Sequence, residues 1–123
     1  MSHGTILIVD SDACVAQGLT WPLRLSGYGV ETCSSAEAAL ARVTAAEYDL
    51  IITDQELPGM SGLELVGRLL SACPRTRLIL MTPLGTPRVE ARARPAVDAY
   101  LPKPFSTKEL LEAVRRALPA QPA

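Results

Sequence analysis

The chain has 123 residues, 48% of them hydrophobic and 20% charged, which bounds it to one ordinary globular domain large enough for a real core. Its net charge of -1 excludes a global field that would gather nucleic acid or anionic membrane, and no apolar run approaches the length of a membrane span. Met1-Ser2-His3-Gly4 lacks the basic and long apolar regions of a signal peptide, and His3 is the single histidine, so histidine-based metal or triad chemistry is not expected. The three cysteines, Cys14, Cys33 and Cys73, are odd in number and show no CxxC spacing. They read as reduced thiols at small core positions, and a cytoplasmic location follows as an expectation.

In chain order, Thr5-Ile6-Leu7-Ile8-Val9 is a continuous apolar run and reads as a buried strand ending in Asp10-Ser11-Asp12. Ala13 to Ser26 carries a helical pattern through Val15, Leu19, Leu23 and Leu25. Pro22 interrupts it, and one kinked helix is expected rather than two, because the carbonyl that the ring would crowd belongs to Gly18. Gly27 ends this helix, and Tyr28 to Cys33 is a weaker strand. Ser34-Ser35-Ala36-Glu37 reads as a capping box with Ser34 at the N-cap, opening a helix to about Ala45 or Ala46. Leu50-Ile51-Ile52-Thr53-Asp54 is the second strongly apolar strand. Ser61-Gly62-Leu63-Glu64 is another capping box, and Leu65, Leu69 and Leu70 carry its helix towards Cys73-Pro74. Arg77 to Thr82 is a fourth strand. Thr86-Pro87 reads as an N-cap followed by a first-position proline, and Pro95 keeps that helix short. Val97 to Leu101 reads as the fifth strand and Lys103-Pro104-Phe105 as a turn. Ser106-Thr107-Lys108-Glu109 is a third capping box, opening a helix lined by Leu110, Leu111, Val114 and Leu118, with Arg115 and Arg116 in its last turn. The domain is expected to span residues 1–118, with 119–123 a tail or the start of a linker.

Five strands alternating with five helices predict an α/β fold: a doubly wound, five-stranded parallel sheet of flavodoxin type with right-handed crossovers. The two most apolar strands belong at the centre, which suits the order 2-1-3-4-5. All parallel strands point the same way, so their C-terminal ends share one edge. That edge receives Asp10, Asp54, Thr82 and Lys103. Two carboxylates placed together repel, and one takes up a proton unless a cation neutralises them. A hard divalent cation held by carboxylates and a phosphoryl group is the magnesium pattern. An ammonium and a hydroxyl beside it suit phosphoryl transfer onto a carboxylate, giving an aspartyl phosphate.

Four segments, taken in order, resemble a bacterial response-regulator receiver domain, of which the chemotaxis regulator is the minimal example. They are Ile6 to Asp10; Asp49 to Asp54 with Leu57-Pro58-Gly59-Met60-Ser61-Gly62; Ile79 to Thr82; and Tyr100 to Ser106. The resemblance covers the whole chain. It implies that Asp54 accepts a phosphoryl group from a histidine kinase or phosphotransfer protein, and that Lys103 and Thr82 contact that group. It further implies that Thr82 and Tyr100 form a switch pair, that Asp10, Asp54 and Glu56 make the magnesium site, and that a cis peptide precedes Pro104. An output domain or partner protein would be met through the face of the fourth helix, fifth strand and fifth helix. The protein would be a signalling switch acting on itself rather than an enzyme, with no direct contact to nucleic acid or membrane.

The chain departs from the family's pattern in three places. Ser11 stands where a second acid is usual, so a weak magnesium site is expected, with Asp12 one residue late. Pro83 follows Thr82 in place of a small residue. Arg94-Pro95-Ala96 replaces a glycine before the fifth strand. Ser11 keeps open a receiver-like module that binds partners without phosphorylation. A rival enzyme reading takes Asp10-Ser11-Asp12 as the DxD of a haloacid-dehalogenase-type phosphatase, with Asp10 as nucleophile and Asp12 as acid/base. It leaves Asp54 to Gly59 unexplained. A flavin module conflicts with acids in the first loop, which would repel phosphate. The Arg88, Arg92 and Arg94 cluster reads as a solvated helix face, or as part of an interaction face.

Overall fold

The two most apolar runs become the middle of the sheet. In the structure, a computed structural model that describes residues 4–83 and 86–118, β1 (Thr5–Val9) and β3 (Leu50–Asp54) lie side by side. Every residue of β3, and all of β1 after Thr5, is buried. The chain continues through α1 (Ala13–Leu25), β2 (Gly29–Cys33) and α2 (Ala36–Ala45) before β3. After it come α3 (Gly62–Ala72), β4 (Arg77–Pro83), α4 (Pro87–Ala93), β5 (Ala99–Lys103) and α5 (Thr107–Ala117). All pairings are parallel and the order is β2-β1-β3-β4-β5, as expected from the apolar character of the central strands.

Period-two alternation divides the core. Ile6, Ile8, Ile52, Ile79 and Met81 face α1 and α5 through Leu19, Leu23, Leu110 and Val114. Leu7, Val9, Ile51, Leu78 and Leu80 face the opposite layer, with Leu65, Val66 and Leu69 of α3 and Ala36 and Ala39 of α2. Such double-sided burial explains why these strands read as unbroken apolar runs.

Local signals mostly act as the residues suggest. Ser61 with Glu64 and Ser106 with Glu109 form reciprocal capping boxes. Pro22 lies inside one continuous α1, and Gly27 beyond it takes a positive φ of 100°. The peptide bond before Pro104 is cis.

Several expectations are corrected. The N-cap of α2 is Ser35, not Ser34: its hydroxyl accepts from the Ala38 N–H at 3.1 Å, so Glu37 falls one position early for a box. Leu25 is 71% exposed, because two residues beyond inward-facing Leu23 is roughly 200° round the helix. Leu70, one residue or roughly 100° round the helix from buried Leu69, is also exposed. Cys14 is exposed rather than a core residue, and all three thiols are free. Thr86 occupies the N-cap of α4 but makes no capping bond; its hydroxyl donates to the Pro83 carbonyl at 3.0 Å. β5 begins two residues late. Val97 still donates its N–H to the Ala93 carbonyl, while the Asp98 carboxylate accepts from the Leu78 N–H at 2.8 Å and only then does pairing start. Pro102 inside β5 is tolerated because β5 is an edge strand. Residues 119–123 lie outside the described residues.

Candidate functional site

Register fixes the site. β1 pairs with β3 so that Val9 lies opposite Thr53, and each strand's next residue is an acid. Asp10 and Asp54 therefore leave adjacent strands together, both buried. β4 and β5 pair with Pro83 opposite Lys103, bringing the lysine to the same edge at the end of β5 rather than in the following turn. Its Nζ lies 3.2 Å from Asp54 Oδ1 and 3.7 Å from Asp10 Oδ2.

Those two oxygens are buried and have no hydrogen-bond partner among the described residues. The ammonium lies at ion-pair distance without hydrogen-bond alignment. Two carboxylates and one ammonium leave the cluster with a net charge of about -1, and a buried oxygen without a donor is costly. Burial pushes the Asp10 carboxyl above its ordinary range, and the charges of Asp54 and Asp12 add to this. The Asp12 N–H, donated to Asp10 Oδ1 at 2.9 Å, and Lys103 pull the other way.

A raised folded-state value means that ionised Asp10 weakens the fold at neutral pH. The penalty is absent below the ordinary carboxylate range and grows as pH rises through the raised one. In metal-free buffer, Asp10→Asn is therefore expected to be more stable than the parent at about pH 7, with the two converging towards about pH 3. Denaturant unfolding at several pH values checks this; a less stable variant at neutral pH contradicts it.

The orphaned oxygens fit a hard divalent cation, which takes oxygen ligands. Asp10 and Asp54 would hold it. Glu56, the third expected ligand, is exposed, and among the described residues no group of three His, Cys, Asp or Glu side chains is placed to hold a metal. Ser11 is exposed and neutral. Asp12 does not replace the missing acid, because its carboxylate caps α1, accepting from the N–H groups of Cys14 at 2.9 Å and Val15 at 3.3 Å. That commitment also removes the acid/base of the DxD reading. Ser11→Asp is expected to tighten magnesium binding on the order of tenfold, about 1.4 kcal/mol, by calorimetry. Equal affinities would show that another group already serves as that ligand.

Thr82 is fully buried, and its hydroxyl donates to the Tyr100 hydroxyl at 2.6 Å. The Thr86 hydroxyl lies 3.4 Å from the same Tyr100 oxygen. The site thus unites Asp10, Asp54 and Lys103 in one cluster and Thr82 with Tyr100 in a second, one residue further along β4 than Met81, the partner of Asp54.

Two supporting residues escaped sequence reasoning. Gln55 donates its N–H to the Met81 carbonyl at 2.8 Å, and its side-chain oxygen accepts from the Leu63 N–H at 2.7 Å, tying the end of β3 to the start of α3. Gly62 begins α3 against the backbone of Asp54: a Cβ there would overlap the Asp54 carbonyl oxygen and lie 2.8 Å from Gln55 Cα. The glycine stands in the recognised motif, but motif and capping pattern alone do not show this contact.

A family model described as the response regulator receiver domain matches residues 6–115. Over 120 residues the chain is 40% identical to the DNA-binding transcriptional regulator NtrC of Azospirillum brasilense, covering 96% of this chain and 25% of that protein. It is 36% identical over 113 residues to the response regulator protein FleR of Pseudomonas aeruginosa, covering 90% of this chain and 24% of that one. The chain thus spans about a quarter of the length of these curated relatives. Among solved structures, the response regulator TrrA of Thermotoga maritima, in complex with magnesium and beryllofluoride, superposes with a TM-score of 0.85 at 34% identity, covering 96% of this chain and all of that one.

Proposed function

The chain belongs to the response regulator receiver domain family, and from that premise we propose that Asp54 is a phosphoacceptor whose modification switches an interaction face. The observation that carries the reading is the pair of buried acids, each with an oxygen lacking a hydrogen-bond donor and turned to Lys103.

The donor is a phosphohistidine on a kinase or phosphotransfer protein. An Asp54 carboxylate oxygen attacks phosphorus, the phosphorus–nitrogen bond breaks, and its electron pair leaves on the imidazole, which takes up a proton from water. The product is a mixed anhydride on Asp54. Lys103 offsets charge on the phosphoryl oxygens. Asp10, beside the acceptor, would supply a hard oxygen for a cation. Bound magnesium would neutralise the acids and the phosphoryl group together. Thr82 has one hydroxyl proton, now donated to Tyr100. Donating it to a phosphoryl oxygen breaks that bond and frees Tyr100 to move. The signal then leaves through α4, β5 and α5 to an output domain or partner. The chemistry is confined to the protein itself. No helix among the described residues is long and apolar enough to cross a membrane.

Ser11 favours one second reading, a partner-binding module that does without phosphorylation. Beryllofluoride with magnesium separates the two. The expected result is ligand density at Asp54 with Thr82 turned to it and the Tyr100 rotamer changed. An unchanged Tyr100 beside clear density at Asp54 contradicts the switch, and no binding at saturating magnesium favours the second reading.

A further inference from the structure

Tyr100 is held from two sides. Its hydroxyl oxygen accepts a hydrogen bond from the Thr82 hydroxyl at 2.6 Å. Over its ring, 5.2 Å from the centroid, lies the Arg94 guanidinium. Arg94 is the C-cap of α4, and Pro95 stops the helix directly after it. Its Nε donates to Glu90 Oε2 at 2.6 Å, one turn back on the same helix. The guanidinium is thus oriented by Glu90 and placed against the aromatic ring. This is a cation–π contact at a partly exposed position, and moving the ring loses it.

We propose that Arg94 is a positioning residue for the switch. Oriented by Glu90, it holds the Tyr100 ring where its hydroxyl oxygen accepts from the Thr82 hydroxyl, and so sets how readily a group on Asp54 recruits Thr82. The proposal rests on the phosphoacceptor reading for its consequence, though not for the contact itself. Thr82 has one proton to donate, so its bonds to Tyr100 and to a phosphoryl oxygen exclude each other. Whatever stabilises the first opposes the second. Loss of Arg94 loosens Tyr100, releases Thr82 more easily, and favours the ligand-bound form. The cation–π contact predicts a two- to fivefold effect, being about 0.5–1 kcal/mol.

The test uses the chain as it stands, with Arg94→Ala, Arg94→Lys, Tyr100→Phe and the double variant Arg94→Ala/Tyr100→Phe. The chain has three tyrosines, so the Tyr100 ring resonances can be assigned by substitution. In the ligand-free protein, Arg94→Ala should shift the Tyr100 resonances, and Arg94→Lys, which keeps the charge but not the planar contact, should shift them less. Unchanged Tyr100 resonances overturn the proposal. Calorimetric titration with beryllofluoride and magnesium should give two- to fivefold tighter binding for Arg94→Ala than for the parent. That gain should vanish when Tyr100→Phe has removed the hydroxyl that competes for the Thr82 proton. Equal affinities of Arg94→Ala and parent, or the same gain in the Tyr100→Phe background, also overturn it. If beryllofluoride fails to bind the parent while the Tyr100 resonances still respond to Arg94, the phosphoacceptor reading fails and the hold of Arg94 on the ring stands.

Discussion

Asp54→Ala is expected to abolish phosphoryl incorporation from acetyl phosphate or phosphoramidate in the presence of magnesium, whereas the parent should gain one phosphoryl group by intact-protein mass. The expectation follows from the geometry at the sheet edge. Asp54 ends the central strand, is buried, and presents Oδ1 to Lys103 at 3.2 Å without a hydrogen-bond donor. Alanine removes the nucleophile and leaves Asp10 as the carboxylate beside Lys103. The fold should survive, because β3 keeps its backbone pairing and Lys103 keeps Asp10 within ion-pair distance at 3.7 Å. The conservative Asp54→Asn should also be silent, since an amide oxygen is a far weaker nucleophile than a carboxylate. Label that persists in a folded Asp54→Ala contradicts the account.

Gly62→Ala should be among the most damaging single-methyl additions in the chain. The new Cβ would overlap the Asp54 carbonyl oxygen and lie 2.8 Å from Gln55 Cα and 2.9 Å from the Asp54 carbonyl carbon. All three are backbone atoms, so no flexible side chain can yield. Either the start of α3 moves away, disturbing the 3.0 Å bond from the Gly62 N–H to the Gln55 carbonyl, or the end of β3 moves with Asp54 on it. Overpacking of this kind costs about 1–3 kcal/mol. Gly67, with nothing within 4 Å of a built Cβ, is the control: alanine there should be neutral or stabilising by up to about 1 kcal/mol, as helix propensity dictates. Urea unfolding should show a lowered midpoint for Gly62→Ala alone, with slower phosphorylation under conditions where the variant is folded. A Gly62→Ala protein as stable as Gly67→Ala contradicts the packing argument.

The architecture was legible where one force dominated. β1 and β3 are buried on both faces, so their sequences are continuous apolar runs, and strand type and central place followed from that, while the full order β2-β1-β3-β4-β5 was only suited by it. The acids at their ends and Lys103 were legible because parallel strands must share an edge. Boundaries failed where two signals competed. Pro102 looks like a strand breaker, and Val97 looks like a strand former, so β5 was placed two residues early; an edge strand accepts the proline, and the turn after α4 holds Val97. Glu37 favoured Ser34 as the cap of α2, whereas adjacent Ser35 makes the bond, and the apolar spacing that includes Leu25 and Leu70 marks a helix without saying which of its members face inward. Asp12 could be weighed as a ligand only until its side chain was seen capping α1. The contacts of Gly62 with Asp54 and of Arg94 with Tyr100 join segments separated in sequence, and no local pattern encodes them.

The site of modification is the most direct test of the central claim. The parent chain, treated with a small phosphodonor at saturating magnesium, is trapped with borohydride, digested and mapped by mass spectrometry. The account predicts a single reduced acyl site at Asp54. A modified Asp10 with unmodified Asp54 would contradict it and restore the DxD reading, and a chain that stays unmodified would leave this receiver domain without the phosphoacceptor role.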